Sequence, residues 1–345
     1  MNNRMKYLYT HCKQKADRLL CFSDPNVSYY PERKHKSRLR QMYDLIRWKL
    51  TYGELNKHYK MYGFDVCDPE VDSSTFMDYL GFMRKRAEKN LNGSEYSQVP
   101  LLRDKYLFWR YMKSFHMPVP EVFAVRLNGI LYNNELHPVI EDSLLEKHHY
   151  FAKAITGECG ESVRHIVDYH GFQQFLCEIK DQDIILQECV SQHHEMNRLN
   201  PNAVNTLRVV TVMTQDGPIV FSALLRIGTR SCGERDNTSQ GGIAVGIQKD
   251  GTLMQYGFRK QSFGGRVEEH PDTGIVFSEF QIPKYHEALN LACRAHLLFY
   301  RIHSIGWDIA ITEDGCMIIE GNDNWELQSF QALYGGLRSK CESLL

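Results

Sequence analysis

Three Asp-Gly pairs, Asp216-Gly217, Asp250-Gly251 and Asp314-Gly315, each separate two apolar runs, and this recurrence constrains the fold more than any other feature. Asp-Gly between alternating apolar residues is a strong short-range hairpin signal, because glycine supplies the positive φ that tight turns require. The flanking runs are "TLRVVTVMT" with "PIVFSALLRIG", "GGIAVGIQK" with "TLMQYGF", and "GWDIAITE" with "CMIIEGN". Upstream, "DKYLFWRYMKSFHMPVPEVFAV" predicts a helix, a turn at Pro118 and Pro120, and a strand from Val122 to Val125. "HYFAKAIT" and "DIILQECV" are further short strands, "VRHIVDYHGFQQFLCEI" is a strand followed by a helix, and "KYHEALNLACRAHLLFY" is an amphipathic helix. Antiparallel hairpins interleaved with helices imply an α+β fold rather than a doubly wound parallel sheet.

The N-terminal part has a different texture. "SRLRQMYDLIRWKLTYGELNKHYKMYGF" places Leu39, Met42, Tyr43, Ile46 and Leu50 at helical spacing, and "SSTFMDYLGFMRKRAEKN" offers Ser73 or Ser74 as an N-cap. "LNGSEYSQVP" breaks the pattern, which places a boundary between Asn92 and Pro100. Met1 to Lys60 carries 14 Lys+Arg against 5 Asp+Glu, a net of +9, so the remainder carries −10 to give the overall −1. The densest run, Glu32 to Arg40, suits either a solvated helix face or contact with an anionic membrane or lipid carrier. No run of about 18 apolar residues predicts a membrane span. The basic, polar start does not resemble a signal peptide, and the ten cysteines include no Cys-x-x-Cys pair. A cytoplasmic location with reduced thiols is the expectation.

The last hairpin carries Asp308, Glu320 and Asn322 at its open end. With a two-residue turn, Asp308 pairs with Gly321 and Glu320 points to the other face. With the three-residue loop Glu313-Asp314-Gly315, Thr312 faces Cys316, Asp308 lies opposite Glu320, and Asn322 shares the face of Glu320. The second register also groups Ile309, Ile311, Met317 and Ile319 on one apolar face. It is therefore the expected one. Two carboxylates and an amide oxygen are hard ligands suited to Mg²⁺, with Mn²⁺ as an alternative; the bland alternative is a solvated polar edge.

These residues resemble a known family. "GWDIAIT-DG-MIIEGN" is similar to the closing motif of the ATP-grasp ligases, in which an Asp and a Glu-x-Asn pair hold Mg²⁺ on ATP. "DKYLFWRYMKSFHMPVPEVF", "FAKAITGECGESV" and "IILQECV" resemble its other motifs in the expected order. "NTLRVVTV", "LLRIG" and "DNTSQGGIAVGI" look closest to the sugar-transfer-associated ATP-grasp proteins. The likeness spans Leu101 to Gln331. It implies two α+β subdomains gripping ATP, at 96–190 and 191–345, behind a helical, basic region at 1–95. It implies Lys105 and Lys153 on the phosphates, as compact cationic point charges. Gly157 and Gly160 would let backbone N–H groups approach phosphate, although Glu158 and Glu161 make this loop acidic. Gln187, Glu188 and Val190 would contact adenine, and His193, His194 or Glu195 the ribose, with Glu195 carried forward.

Arg208 and Arg226 lie on the two strands of one hairpin. If Asp216-Gly217 is the turn, Arg226 faces away from Arg208. If the loop is Gln215-Asp216-Gly217, Arg208 lies opposite Leu224 with Arg226 its diagonal neighbour. The resemblance implies that both hold transferring phosphate, which favours the second register, since the arginine fork matches phosphate oxygens. Asp236 and Asn237 would reach the reacting carboxylate, with Asn237 preferred because an amide does not repel phosphate. The implied activity is ATP-dependent joining of a carboxylate and an amine through an acyl phosphate, in cell-surface polysaccharide biosynthesis, with no nucleic-acid partner. A phosphotransferase with a hydroxyl acceptor and a non-catalytic nucleotide-binding module are the alternatives.

Overall fold

The computed structural model describes residues 28–68, 70–91, 97–140, 149–157, 163–179, 182–233, 236 and 240–344. Helix α1 spans Arg38–Tyr52, α2 Tyr79–Leu91, α3 Val99–Arg103 and α4 Lys105–Ser114. Strands β1 (Val122–Leu127), β2 (Ile130–Asn133), β3 (Tyr150–Ala154) and β4 (Val163–Ile166) precede helix α5 (Tyr169–Glu178) and strand β5 (Ile184–Glu188). Helix α6 (His194–Leu199) leads to β6 (Thr206–Thr214), β7 (Gly217–Ile227), β8 (Ile243–Ile247), β9 (Leu253–Phe258) and β10 (Arg266–Val267). Helix α7 (Tyr285–Leu298), strands β11 (Ser304–Ile311) and β12 (Cys316–Asn322), and helices α8 (Gln328–Tyr334) and α9 (Arg338–Leu344) complete the described chain.

The strands form two sheets, β2-β1-β5-β3-β4 and β10-β9-β8-β7-β6-β11-β12. Every ladder between them is antiparallel, as the hairpin pattern predicts. The first sheet covers α5 through Ala124, Tyr150, Ala152, Phe172, Phe175 and Leu186. The second sheet is buried on both faces. On one, Leu207, Val209, Trp307, Ile309 and Ile318 meet the small-residue stripe Ala288, Ala292 and Ala295 of α7. On the other, Val210, Val212, Phe221 and Leu224 meet Phe82, Trp325 and Phe330.

Both hairpins analysed in the sequence turn differently from expectation, and by the same device. At the β11–β12 turn Ile311 pairs with Cys316, so the loop holds four residues, 312–315, rather than three. The register then shifts between Ile309↔Ile318 and Asp308↔Glu320. This bulge, at Ile319, restores the expected opposition of Asp308 and Glu320. It also corrects the predicted apolar face: Cys316 and Ile318 are buried with Ile309 and Ile311, whereas Met317 and Ile319 are only partly covered. At the β6–β7 turn Thr214 pairs with Gly217, so the loop is Gln215-Asp216, with Gly217 at φ 108°. A shift between Thr211↔Val220 and Val210↔Ser222 then brings Arg208 opposite Leu224.

The N-terminal part is less helical than expected. Residues 53–68 and 70–78 form turns and one short 3-10 segment at Ser73–Thr75. Leu45 and Trp48 of α1 pack with Tyr59, Tyr62, Phe64 and Phe76. Neither Ser73 nor Ser74 caps α2. Instead Asp78 accepts from Gly81 N at 2.7 Å, and Glu54 accepts from Tyr79 N at 2.7 Å and Leu80 N at 3.1 Å. Among the described residues no helix is long and apolar enough to cross a membrane.

Candidate functional site

A cleft of about 250 Å³ opens between the two sheets. The first sheet contributes Lys153, Ile185 and Gln187, the second Ile319, Glu320 and Asn322, and the start of α4 contributes Lys105. Asp104 accepts from Leu107 N at 2.8 Å and so caps α4, which fixes Lys105 at its first turn. Lys105 Nζ donates to the Gly157 carbonyl at 3.0 Å. Lys153 Nζ donates to Gln187 Oε1 at 2.6 Å, across the β3–β5 pair. Burial pushes the Lys153 ammonium down to about 8; Lys105 adds to the shift and Glu320 opposes it. An anion in the cleft would favour the charged form of a lysine so placed.

Behind the cleft lies a charge network. Arg208 grips Asp308 with both ends of its fork, Nε at 2.5 Å and an Nη at 3.0 Å. Arg226 donates to Asp308 at 2.8 Å and to the Thr206 hydroxyl, and stands 3.4 Å from Asp236. Asp236 also accepts from Thr206 N at 3.2 Å. Burial works against the charge on Asp308, yet Arg208 and Arg226 hold its carboxyl well below the usual range. Glu320 moves the other way: burial, then the adjacent Asp308 carboxylate hydrogen-bonded to it, pushes its carboxyl up. The two carboxyl groups thus meet with their proton affinities pushed apart.

That pair suits a divalent cation. Glu320 is the less compensated of the two carboxyls, and Asn322 Nδ2 donates to it at 3.1 Å, which leaves the amide oxygen for a ligand. Asp308, Glu320 and Asn322 form an all-oxygen set of the kind Mg²⁺ takes. A Cβ on Gly321 would come within 2.8 Å of Trp307 and 2.9 Å of Leu102, so only glycine lets β12 lie this close beneath its ligands.

The sequence-predicted residues divide clearly. Lys105, Lys153, Gly157, Gln187, Glu320 and Asn322 line the cleft. Arg208, Arg226 and Asp308 stand directly behind it. Glu188, Val190 and Glu195 are not part of the lining: Glu188 accepts from Glu121 N at 3.0 Å, and Glu195 pairs with Arg198 at 2.6 Å. Gln187 presents its side-chain oxygen to Lys153. Gly160, Asn237, Glu158 and Glu161 lie outside the described residues.

Several lining residues had not been singled out. Ile319 enters the cleft because the bulge turns it out of the core face. Arg103 makes a bidentate pair with Asp323 at 2.9 and 2.7 Å. Arg86 of α2 donates to Trp325 O and Asn324 Oδ1, and Asn90 donates to Asp323 O at 3.1 Å. Thus α2 braces the segment that follows Glu320 and Asn322. The only sequence signal was the polar run Asn322-Asp323-Asn324.

Beside that segment a second cavity of about 170 Å³ lies against the N-terminal part. Three buried polar atoms of its lining residues have no hydrogen-bond partner among the described residues: Trp48 Nε1, Asn56 Nδ2 and Gln328 Oε1. His193, His194 and Glu313 also cluster, with ligand atoms within 4.8 Å. There, however, His193 Nδ1 accepts from Glu195 N at 3.1 Å, so the ring proton sits on Nε2, the atom facing Glu313 at 3.5 Å. That tautomer gives a hydrogen-bonded pair, not a metal site.

Two antiparallel sheets closing on a cleft with paired lysines and a carboxylate–carboxylate–amide set are the arrangement of an ATP-grasp protein. The family described as sugar-transfer associated ATP-grasp matches residues 83–344, and the chain belongs to that family. ATP and Mg²⁺ are the cofactors typical of this fold. No curated protein matches the sequence. Similar solved structures include an N5-carboxyaminoimidazole synthase from Aspergillus clavatus, 11% identical, covering 65% of this chain and 45% of that one, with a TM-score of 0.40. The D-alanine-D-alanine ligase from Coxiella burnetii is 9% identical over 71% of this chain and 57% of its own, with a TM-score of 0.40. The ATP-grasp ligase PsnB, complexed with minimal precursor, is 13% identical over 72% and 61%, with a TM-score of 0.39. The chain spans about half the length of the solved structures it matches, and likenesses this distant add nothing to the family match.

Proposed function

We propose that the protein is an ATP-dependent carboxylate–amine ligase acting through an acyl phosphate. The observation that carries this reading is the buried Asp308–Glu320 pair, backed by Arg208 and Arg226 and facing Lys153 across the cleft. In this reading Lys105 and Lys153 hold the ATP phosphates, and the parts 96–190 and 191–345 act as two jaws. Asp308, Glu320 and Asn322 would hold Mg²⁺, which would supply neutralisation of phosphate charge. A substrate carboxylate attacks the γ-phosphorus and ADP leaves. The amine then attacks the acyl carbon, phosphate departs, and the amine loses a proton. Arg226 serves by orienting phosphate oxygens, Gln187 by aiming Lys153, and the rest of the catalysis is positioning. Among the described residues the network contains no serine or cysteine nucleophile, and this chemistry requires none.

The second cavity is the proposed acceptor pocket. Its lining sets the charged and polar side chains Glu54, Lys57 and Glu326 beside the rings of Trp48 and Tyr62, which suits a small polar ligand with an apolar face. A carboxyl-bearing sugar joined to an amino acid or other amine fits, and the description of the family favours a role in polysaccharide assembly.

Two measurements test the proposal. In a substrate screen, ADP and phosphate release is expected only when a carboxylate and an amine are both present. Release with a hydroxyl acceptor alone, and without phosphate, would make the protein a phosphotransferase. In calorimetry, Lys153→Ala is expected to weaken ATP binding on the order of 10- to 100-fold. The wild-type affinity is expected to decline as pH rises through about 8, because the free Lys153 ammonium deprotonates there. The alanine variant loses that inflection. An unchanged affinity and pH profile would remove Lys153 from the phosphate site.

A further inference from the structure

Helix α1 presents an apolar stripe to solvent. Leu39 is 80% and Leu50 83% exposed, and Met42, Tyr43 and Ile46 are each just over half exposed. The face that packs on the protein is a different one, made of Gln41, Leu45 and Trp48. At about 100° per residue, the five exposed apolar side chains fall within an arc of about 100°. Arg40 and Arg47 border one edge of that arc, Arg38 and Lys49 the other, and all four are exposed. Arg38, Arg47 and Lys49 make no ion pair with a described residue. The acidic residue of the helix, Asp44, sits on the protein side, bonded to Lys36 at 2.9 Å and Tyr59 at 3.1 Å. The helix is well anchored: Ser37 accepts from Arg40 N, and Gly53 closes it at φ 80°. The exposed stripe therefore belongs to a fixed helix.

We propose that α1 docks in the plane of a lipid surface bearing anionic headgroups, with Leu39, Met42, Tyr43, Ile46 and Leu50 in the acyl boundary. Cations on both edges of an apolar arc meet headgroup phosphates at the depth where the stripe meets acyl chains. Tyr43 suits the level between them, as an apolar ring with a polar tip. Other occupants match less well. Residues 1–27 carry five Lys+Arg against two Asp+Glu, a net of +3, and would bring like charge onto the flanks. A second copy of the same face would likewise set cations against cations. A nucleic acid would satisfy the charges but leave the apolar stripe in water. The inference rests on α1 alone and stands whether or not the ligase reading does. It places the enzyme where a lipid-linked substrate would be found.

The test is co-sedimentation of the full chain with vesicles. Binding is expected to an equal mixture of phosphatidylcholine and phosphatidylglycerol and to be at least tenfold weaker to phosphatidylcholine alone. It is expected to weaken in about 1 M salt, where the Debye length falls to about 3 Å. The double variant Leu39→Ser/Leu50→Ser, whose side chains lie almost wholly in solvent, is expected to lower the partition coefficient at least tenfold. Arg47→Glu/Lys49→Glu is expected to do the same at low salt. Melting temperature and vesicle-free ATP affinity stay as in wild type. Failure to sediment with anionic vesicles overturns the proposal. So does undiminished binding of Leu39→Ser/Leu50→Ser, which would assign vesicle binding to general positive charge. Capture of α1 by an acidic protein surface in place of vesicles overturns it as well.

Discussion

Glu320→Ala is expected to abolish Mg²⁺-dependent ATP turnover while leaving the protein almost as stable as wild type. Glu320 is the less compensated of the two carboxyls, with Arg226 and Asn322 opposing its shift only in part. Burial and the neighbouring Asp308 both push it toward its protonated form. Removing it relieves that conflict, and the apolar side chains Ile309, Ile311 and Ile318 keep their packing on the opposite face. The net change in stability is expected to be less than about 1 kcal/mol in either direction. Turnover is expected to fall by at least roughly 10³-fold, about 4 kcal/mol of lost stabilisation during phosphoryl transfer. Asp308→Asn is expected to show the reverse balance in the fold, because it strips the counter-charge from two buried guanidinium groups. ADP release measured across Mg²⁺ concentrations, with denaturant melts on the same preparations, checks both arms. A Glu320→Ala protein with normal Mg²⁺-dependent release would remove Glu320 from the metal site.

Arg226→Met is expected to be the most damaging single change to stability. Arg226 stands between Asp236 at 3.4 Å and Asp308 at 2.8 Å, and its side chain is 16% exposed. Burial disfavours its charge, but Asp236, Asp308 and Glu320 together hold its proton more firmly than in water. Methionine fills the stem and leaves Asp236 buried without its cation, at a cost of about 3–5 kcal/mol near neutral pH. The pH dependence gives the sign. Burial already raises the Asp236 carboxyl above its unfolded value, with Arg226 opposing the shift. Without Arg226 it rises further. The folded variant then binds more protons than the unfolded chain, so its stability falls as pH rises and returns as pH is lowered toward 5. Urea melts of both proteins at pH 5 and pH 7.5 measure this. Equal losses at the two pH values would show that the cost is packing rather than an uncompensated carboxylate.

The hairpins show what the sequence determined. Alternation of apolar and polar residues around Asp-Gly demanded antiparallel strands, and every ladder described is antiparallel. The need to bury Ile309 and Ile311 while gathering Asp308, Glu320 and Asn322 selected the pairing Asp308↔Glu320. Lys105, Lys153 and Gly157 were legible only through the resemblance of their segments to the family's motifs. Six of the predicted residues line the cleft as a result.

Tertiary structure decided the rest, for identifiable reasons. A period-two argument counts residues and cannot see a bulge, so it assigned the offset between Asp308 and Glu320 to the loop when the extra residue is Ile319. The correct pairing therefore came with the wrong apolar face. Ile319 in the cleft, and Cys316 and Ile318 in the core, emerge only once the sheet is assembled. The bracing of Asp323–Trp325 by Arg86, Asn90 and Arg103 joins residues over 200 positions apart, beyond the reach of any local pattern. Helix α1 is the clearest case. Its apolar spacing was visible in the sequence, but spacing defines a stripe without saying what covers it. The choice between core and surface fell to Leu45 and Trp48, whose packing against Tyr59, Phe64 and Phe76 turned Leu39, Ile46 and Leu50 outward.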